Sequence, residues 1–320
     1  MSDASEREED FDVWHTVTGD EMLRMGLALA YPKLKPERRE RWKEHTKLQR
    51  FSCHYGLGNP VAYAKIYMDL QRHGKMLEEE CPKQEKNLTH FLWAYNYLKR
   101  YQTEEQAAGD FGVCDKTASK YVWKMVFRVR DMMPYKIMMP AFLNPDLDPT
   151  KPQTIFCYGV DGVHCPIQER QTEEYSKDTT YWSHKTNSPG LAYEVASNIY
   201  EQEIVSVRGP YPAGTSDETI FKKPGGLRDQ IPEGKKAVAD GGYKRCGPKV
   251  SISTSLDDPR VARFKRRVKC RQETINGRMK KFAVLTTRFR HDDTKHQACF
   301  FAIAVTVQYT MENGSPLFVV

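Results

Sequence analysis

No CxxC pair and no disulfide-dense spacing occurs among the eight cysteines of this 320-residue chain. A disulfide framework is therefore not expected, and the thiols read as reduced and intracellular. His164 beside Cys165, with Cys157 nearby, invites a zinc reading, but no second ligand pair stands at zinc-finger spacing. No apolar run approaches the roughly 20 residues that span a bilayer, so no membrane partner is expected. The acidic, polar opening MSDASEREEDFDVW is incompatible with a secretory signal peptide. No internal repeat or low-complexity tract is visible. What remains is a soluble globular chain, 39% hydrophobic, long enough for a sizeable core and about two domains.

Charge is modest in total and uneven in place. The chain carries 49 Lys and Arg against 42 Asp and Glu, a net +7. Between Lys244 and Arg290 fifteen basic residues face only Asp257, Asp258 and Glu273, a local +12 that leaves the rest at −5. Such a stretch attracts a polyanion by counterion release, which makes nucleic acid the first partner to consider. A solvated helix face is the alternative.

Residues 1–46, charged and ending in KLKPERRERWKEHTK, read as a flexible leader with a helix. Residues 47–148 read as helical. FLWAYNYLKRY places Phe91, Leu92, Tyr95 and Leu98 on one face. Thr103 and Gln106 form a capping box, and Asp115 is positioned to cap the next helix, DKTASKYVWKMVFRVRDM. The pair reads as a helix-turn-helix, with Lys116, Thr117, Ser119 and Lys120 facing DNA from the second helix. An αα-hairpin packed only on protein is the alternative, and Tyr121, Trp123, Val126 and Phe127 supply a core face in either case. Three prolines in NPDLDPTKP mark a boundary, and residues 149–320 form the next domain. There TIFCYGVDGVH, LAYEVASNIY, EIVSVRG and KKAVADGGY read as strands, TSDETIFKKPGGLRDQI as a short helix, and 259–282 as a long basic helix after VSIST. That order predicts a mixed α/β sheet with flanking helices.

Three acids stand where a structural role is hard to supply. Asp161 and Asp240 are predicted at strand ends and are followed by Gly162 and by Gly241 and Gly242. A carboxylate at the end of a buried strand is costly to ionise without a cation. Glu273 lies on the basic helix with Ile275, Met279 and Phe282 near its inner face. If the three meet, their oxygens suit Mg²⁺ or Mn²⁺, which prefer carboxylate ligands and support phosphoryl transfer. Singly, each has a local explanation: Asp-Gly turns for the first two, pairing with Arg267, Lys269 or Arg271 for Glu273. Asp217 is a rival ligand, although a capping box from Thr215 to Glu218 explains it as a first-turn carboxylate.

These blocks resemble the DDE transposases of the PIF/Harbinger group and their relatives among bacterial insertion-sequence transposases. GVDGVHCPIQE resembles the first catalytic block, VADGGYKR the second and RRVKCRQETINGRMKKF the third, and the last two acids stand 33 residues apart. YWSHKTNSPGLAYEV and GTSDETIF resemble intervening segments, and HFLWAYNYLKRYQTEEQAAGDFGV resembles the family's helical part. The likeness covers roughly 50–320. It implies an RNase H-like catalytic domain that cleaves terminal inverted repeats and transfers strands into target DNA, with Asp161, Asp240 and Glu273 as metal ligands. His164, Lys185, Arg271 and Lys280 fall inside the matched blocks as candidate DNA or phosphate contacts. The family also implies double-stranded DNA as partner, a homo-oligomer, a nuclear location and a Myb-like accessory protein. Ser216 stands before Asp217 where the family often has His. A domesticated descendant that binds DNA or protein without catalysis is the competing function, and a host nuclease that cleaves without joining is a third.

Overall fold

The computed structural model describes residues 16–73, 84–140, 147–148, 151–168 and 179–320. Of the expected leader, residues 1–15 lie outside the described residues, while the part from Thr18 to Ala30 is a packed helix, not a flexible tail. This helix, α1 (Gly19–Ala30), starts at a capping box in which the Thr18 hydroxyl accepts from the Glu21 amide (3.2 Å) and the Glu21 carboxylate accepts from the Thr18 amide (2.9 Å). It buries Met22, Leu23 and Leu27. Local charge hid this apolar stripe, whose burial outweighs the ordering cost of one short helix.

Helices α2 (Pro36–Glu40), α3 (Glu44–Tyr55), α4 (Pro60–Arg72), α5 (Gln84–Arg100), α6 (Glu104–Phe111), α7 (Asp115–Arg130) and α8 (Met133–Lys136) come next along the chain. Phe91, Leu92, Tyr95 and Leu98 of α5 are all buried, as their spacing predicts. The Thr103–Gln106 capping box starts α6. Asp115, expected to cap α7, is instead its first residue, and Cys114 holds the cap position without a side-chain capping hydrogen bond. Val122, Trp123, Met125, Val126 and Val129 are the buried face of α7; Tyr121 and Phe127 sit only at its margin.

A short turn of helix, α9 (Pro152–Ile155), leads into β1 (Phe156–Pro166), followed by β2 (Trp182–Ser183), β3 (Ser188–Asn198) and β4 (Ile204–Pro212). Helices α10 (Asp217–Lys222) and α11 (Leu227–Gln230) precede β5 (Lys236–Ala239) and β6 (Val250–Ile252), and α12 (Pro259–Met279) and α13 (Asp293–Glu312) close the fold. The sheet is mixed. Strand β1 lies between β3, antiparallel, and β5, parallel, with β6 parallel beyond β5; β2 and β4 both pair with β3. A mixed sheet with flanking helices is the expected α/β class, consistent with the RNase H-like arrangement that the resemblance implies.

Helix α13 is buried on nearly all sides, from His296 to Met311, as a helix apolar all round must be. No helix among the described residues is long and apolar enough to cross a membrane. Residues of α13 share one hydrophobic cluster with α1, α3, α4, α5 and α7 on one side and with β1, β3 and β4 on the other. The expected boundary at 148/149 is therefore not a break in packing, because the helical region closes over a helix from the end of the chain.

Candidate nuclease site

The site is built where β1, β5 and α10 meet. Asp161 sits inside β1 and not at its end, opposite Val195 of β3. Its carboxylate accepts from the Asn276 side-chain amide of α12 (2.8 Å) and from the Gly162 amide (2.8 Å). Asp240 directly follows the last residue of β5, Ala239, and its carboxylate accepts from the Gly242 amide (2.8 Å) in the turn beyond the strand.

Asp217 comes in from the first residue of α10. A Cβ added at Gly162 would lie 2.2 Å from Asp217 Oδ1, and one at Gly242 would lie 2.8 Å from Asp217 Oδ2 and 3.1 Å from Asp240 Oδ1. The two glycines thus admit the carboxylate because they have no side chain. Ser216, not Thr215, caps this helix, accepting from the Thr219 amide (3.1 Å), so the expected capping box is absent. Asp217 Oδ2 pairs with Lys185 Nζ (3.2 Å), while Oδ1 is buried with no hydrogen-bond partner.

Electrostatics mark the cluster as short of cations. Burial pushes the Asp161 carboxyl up to about 6; Lys185 opposes that shift, and Asp240 and Asp217 add to it. Behind them Glu194, opposite Gly162 on one side and Arg208 on the other, is buried with both oxygens unpartnered. Burial pushes it up to about 7, against the pull of Arg208 and with a further push from Asp217.

Glu273 is not drawn into this group. It is exposed on α12 and makes no hydrogen bond or ion pair among the described residues, neither with the aspartates nor with Arg267, Lys269 or Arg271. Its neighbours Gln272 and Asn276 take the inner face, where Gln272 holds β3 through the Ser197 hydroxyl (2.7 Å) and the Val195 carbonyl (3.2 Å). Ile275, Met279 and Phe282 are buried as expected. Glu273 and Asn276 are nonetheless helical neighbours at i and i+3, about 5–6 Å apart at Cβ.

The expected phosphate contacts divide. Lys280 is exposed. Lys185 is half-exposed and shared between solvent and Asp217. His164 is half-buried with its Nδ1 against Ser183 Oγ (2.8 Å), and burial and then Lys185 hold its pKa down. Its partner is a hydroxyl, so the zinc reading with Cys157 and Cys165 gains nothing. Arg271 is corrected: it is 1% exposed and donates to the carbonyls of Phe318 and Glu201, so it anchors the C-terminal segment and cannot meet DNA as it stands. In α7, Lys116 and Lys120 are exposed, but Ser119 bonds Glu104 (3.1 Å) and Thr117 faces the Cys114 sulfur (3.1 Å).

Residues 160–308 match the family described as DDE superfamily endonuclease. The matched span takes in Asp161, Glu194, Asp217, Asp240 and Glu273. The match spans 149 of the 320 residues, just under half of the chain, and is a likeness to endonucleases of the DDE superfamily, which generally use divalent metals. Among curated proteins and among solved structures no match is found.

The side chains fit such a metal by chemistry. The carboxylates of Asp161, Asp217 and Asp240 lie near one another, one Asp217 oxygen is buried without a partner, and burial together with the neighbouring acids raises the Asp161 carboxyl. As they stand, no three His, Cys, Asp or Glu side chains among the described residues form a ready coordination group; Asn276 donates to Asp161 and Lys185 to Asp217. The fold brings Asp217, the rival ligand of the sequence, beside Asp161 and Asp240, and adds Glu194 and Asn276, which the sequence did not single out, to their surroundings. The signal for Asp217 was the Gly162 and Gly242 pair, which needs something to admit.

Proposed function

We propose that this chain is a divalent-metal-dependent DNA endonuclease of the PIF/Harbinger transposase type, which cuts element ends and transfers strands into target DNA. The meeting of Asp161, Asp217 and Asp240 over two glycines, with Lys185 as the cation paired there, carries the reading. Asp161 and Asp240, with Glu273 or Asp217, would hold Mg²⁺ or Mn²⁺, which would supply Lewis acidity at the scissile phosphodiester.

Asp161 and Asp240 are the ligands in this reading, with Glu273 as the third, reached from α12, and Asp217 as its rival. Asn276 and the Gly162 amide orient the Asp161 carboxylate by one hydrogen bond to each oxygen. Lys185 offsets part of the negative charge between Asp161 and Asp217. His164, whose pKa burial and Lys185 hold down, and the exposed Lys280 face the DNA backbone beside them, and Lys116 and Lys120 at the start of α7 offer a second contact.

One observation favours the second reading, a DNA-binding factor without catalysis: Glu273 stands exposed and unpaired. Nicking of supercoiled DNA carrying the element's ends decides between them. Mg²⁺- or Mn²⁺-dependent nicking that disappears in Asp161→Asn and Asp240→Asn, with DNA binding retained, is the expected result. Loss in Glu273→Gln with retention in Asp217→Asn assigns the third ligand to α12, and the reverse assigns it to α10. Nicking that survives in both catalytic variants refutes the site.

A further inference from the structure

The basic helix that drew attention in the sequence has much of its charge engaged. Arg267, Arg271 and Arg278 donate to the carbonyls of Val319, Phe318 and Ser315. A different concentration of cations lies next to the acidic cluster. A cleft of about 410 Å³ is lined by Lys222, Arg228, Arg245 and Lys249, with Asp229 as its one carboxylate and Cys246 at its floor.

We propose that this cleft binds a backbone phosphate of the DNA strand being processed, a few nucleotides from the bond that is cut. The proposal rests on the nuclease reading and adds a place for the strand on one particular side of the site.

Continuity with the acids comes from one short segment. Asp240 begins the turn, the Tyr243 amide donates to the Asp240 carbonyl (3.3 Å), and the Cys246 amide donates to the Tyr243 carbonyl (3.0 Å). Helix α10 carries Asp217 at its start and the cleft-lining Lys222 at its end, so the cleft and the carboxylates share a wall. Five residues reach at most about 18 Å, so Arg245 can serve a phosphate within about five nucleotides of the scissile one, at about 3.4 Å of axis per step.

The cations are held in different ways. Lys249 donates to the carbonyls of Ile231 (2.6 Å) and Pro232 (2.9 Å) and so fixes the far wall. Arg228 is tied to Asp229 (3.0 Å), and Lys222 to Glu218. Arg245 is exposed, with no hydrogen bond or ion pair among the described residues. A guanidinium presents a planar fork that matches a phosphate in two hydrogen bonds, so Arg245 is the anchor and the other three set the field. The polarity is also right: a polyanion is repelled by bare carboxylates and drawn to the adjoining basic hollow, which places the strand across the boundary between them.

Anisotropy of a fluorescent DNA duplex, in EDTA and over a series of salt concentrations, tests this with the full chain. Arg245→Gln is expected to weaken binding about tenfold and to lower the slope of log K against log salt by about 1. Arg245→Glu deepens the loss, while Arg38→Gln on α2, which does not line the cleft, leaves the slope at the parental value. Unchanged affinity and slope in both Arg245 variants overturn the cleft while leaving the nuclease reading in place. A parent chain that does not bind DNA overturns both.

Discussion

Replacing Gly162 by Ala probes the site through a contact that only the fold creates. The added Cβ falls 2.2 Å from Asp217 Oδ1 and 2.9 Å from its Cγ, where ordinary contact begins near 3.4 Å. The carboxylate must then retreat by about 1.2 Å, the difference between 3.4 Å and 2.2 Å. Retreat is opposed on two sides. Asp217 Oδ2 is paired with Lys185, and Gly242 backs the same carboxylate. Overpacking of this kind costs about 1–3 kcal/mol, a fall in Tm of roughly 2–6 °C for a chain of this size. A displacement near 1 Å at a reacting centre costs on the order of 10²-fold in rate. Thermal melts and the nicking assay measure the two effects separately. The decisive comparison is a double-mutant cycle with Asp217→Ala, which removes the obstructing oxygens, so that the Gly162→Ala penalty shrinks by at least about 1 kcal/mol. The same penalty in both backgrounds, or a Gly162→Ala chain within about 0.5 kcal/mol of the parent, would show that the two groups do not press on each other.

Arg271→Ala is expected to lower stability by about 2–4 kcal/mol, because it removes charged hydrogen bonds to two main-chain carbonyls, and to leave the salt slope of DNA binding unchanged. A parental melt with a reduced slope would return Arg271 to the DNA-facing set. His296 is fully buried beside the Tyr193 hydroxyl (2.7 Å), and burial holds its pKa down to about 3. The unfolded chain takes up that proton near 6.5 and the folded chain does not, so stability is whole above 6.5 and falls by roughly 1.4 kcal/mol per unit as pH drops towards 3. Urea unfolding at pH 7 and pH 5 should show a shallower pH dependence in His296→Gln; equal slopes would assign the acid loss to other groups.

Local sequence determined a good deal. The alternation of β1, the carboxylate closing β5, the Thr103–Gln106 cap and the long helix after Asp258 each depend on residues within a few positions of one another, where propensity and hydrogen bonding act directly. The ordered blocks around Asp161, Asp240 and Glu273 were legible through their resemblance to DDE transposase blocks. Tertiary structure decided the rest. Whether a carboxylate in a first helical turn is a cap or a member of a buried acidic group depends on which glycines face it, and Gly162 and Gly242 reach Asp217 only after the sheet has formed. The rotation of α12 is set by Val268, Ile275 and Met279 entering the core; that choice turns Asn276 inward to Asp161 and leaves Glu273 at the surface. The same packing spends Arg271 on the final segment, so a count of positive charges overstates what DNA can meet. Sequence therefore suggested a chemistry, while the packing of distant elements chose which of the candidate side chains stand together.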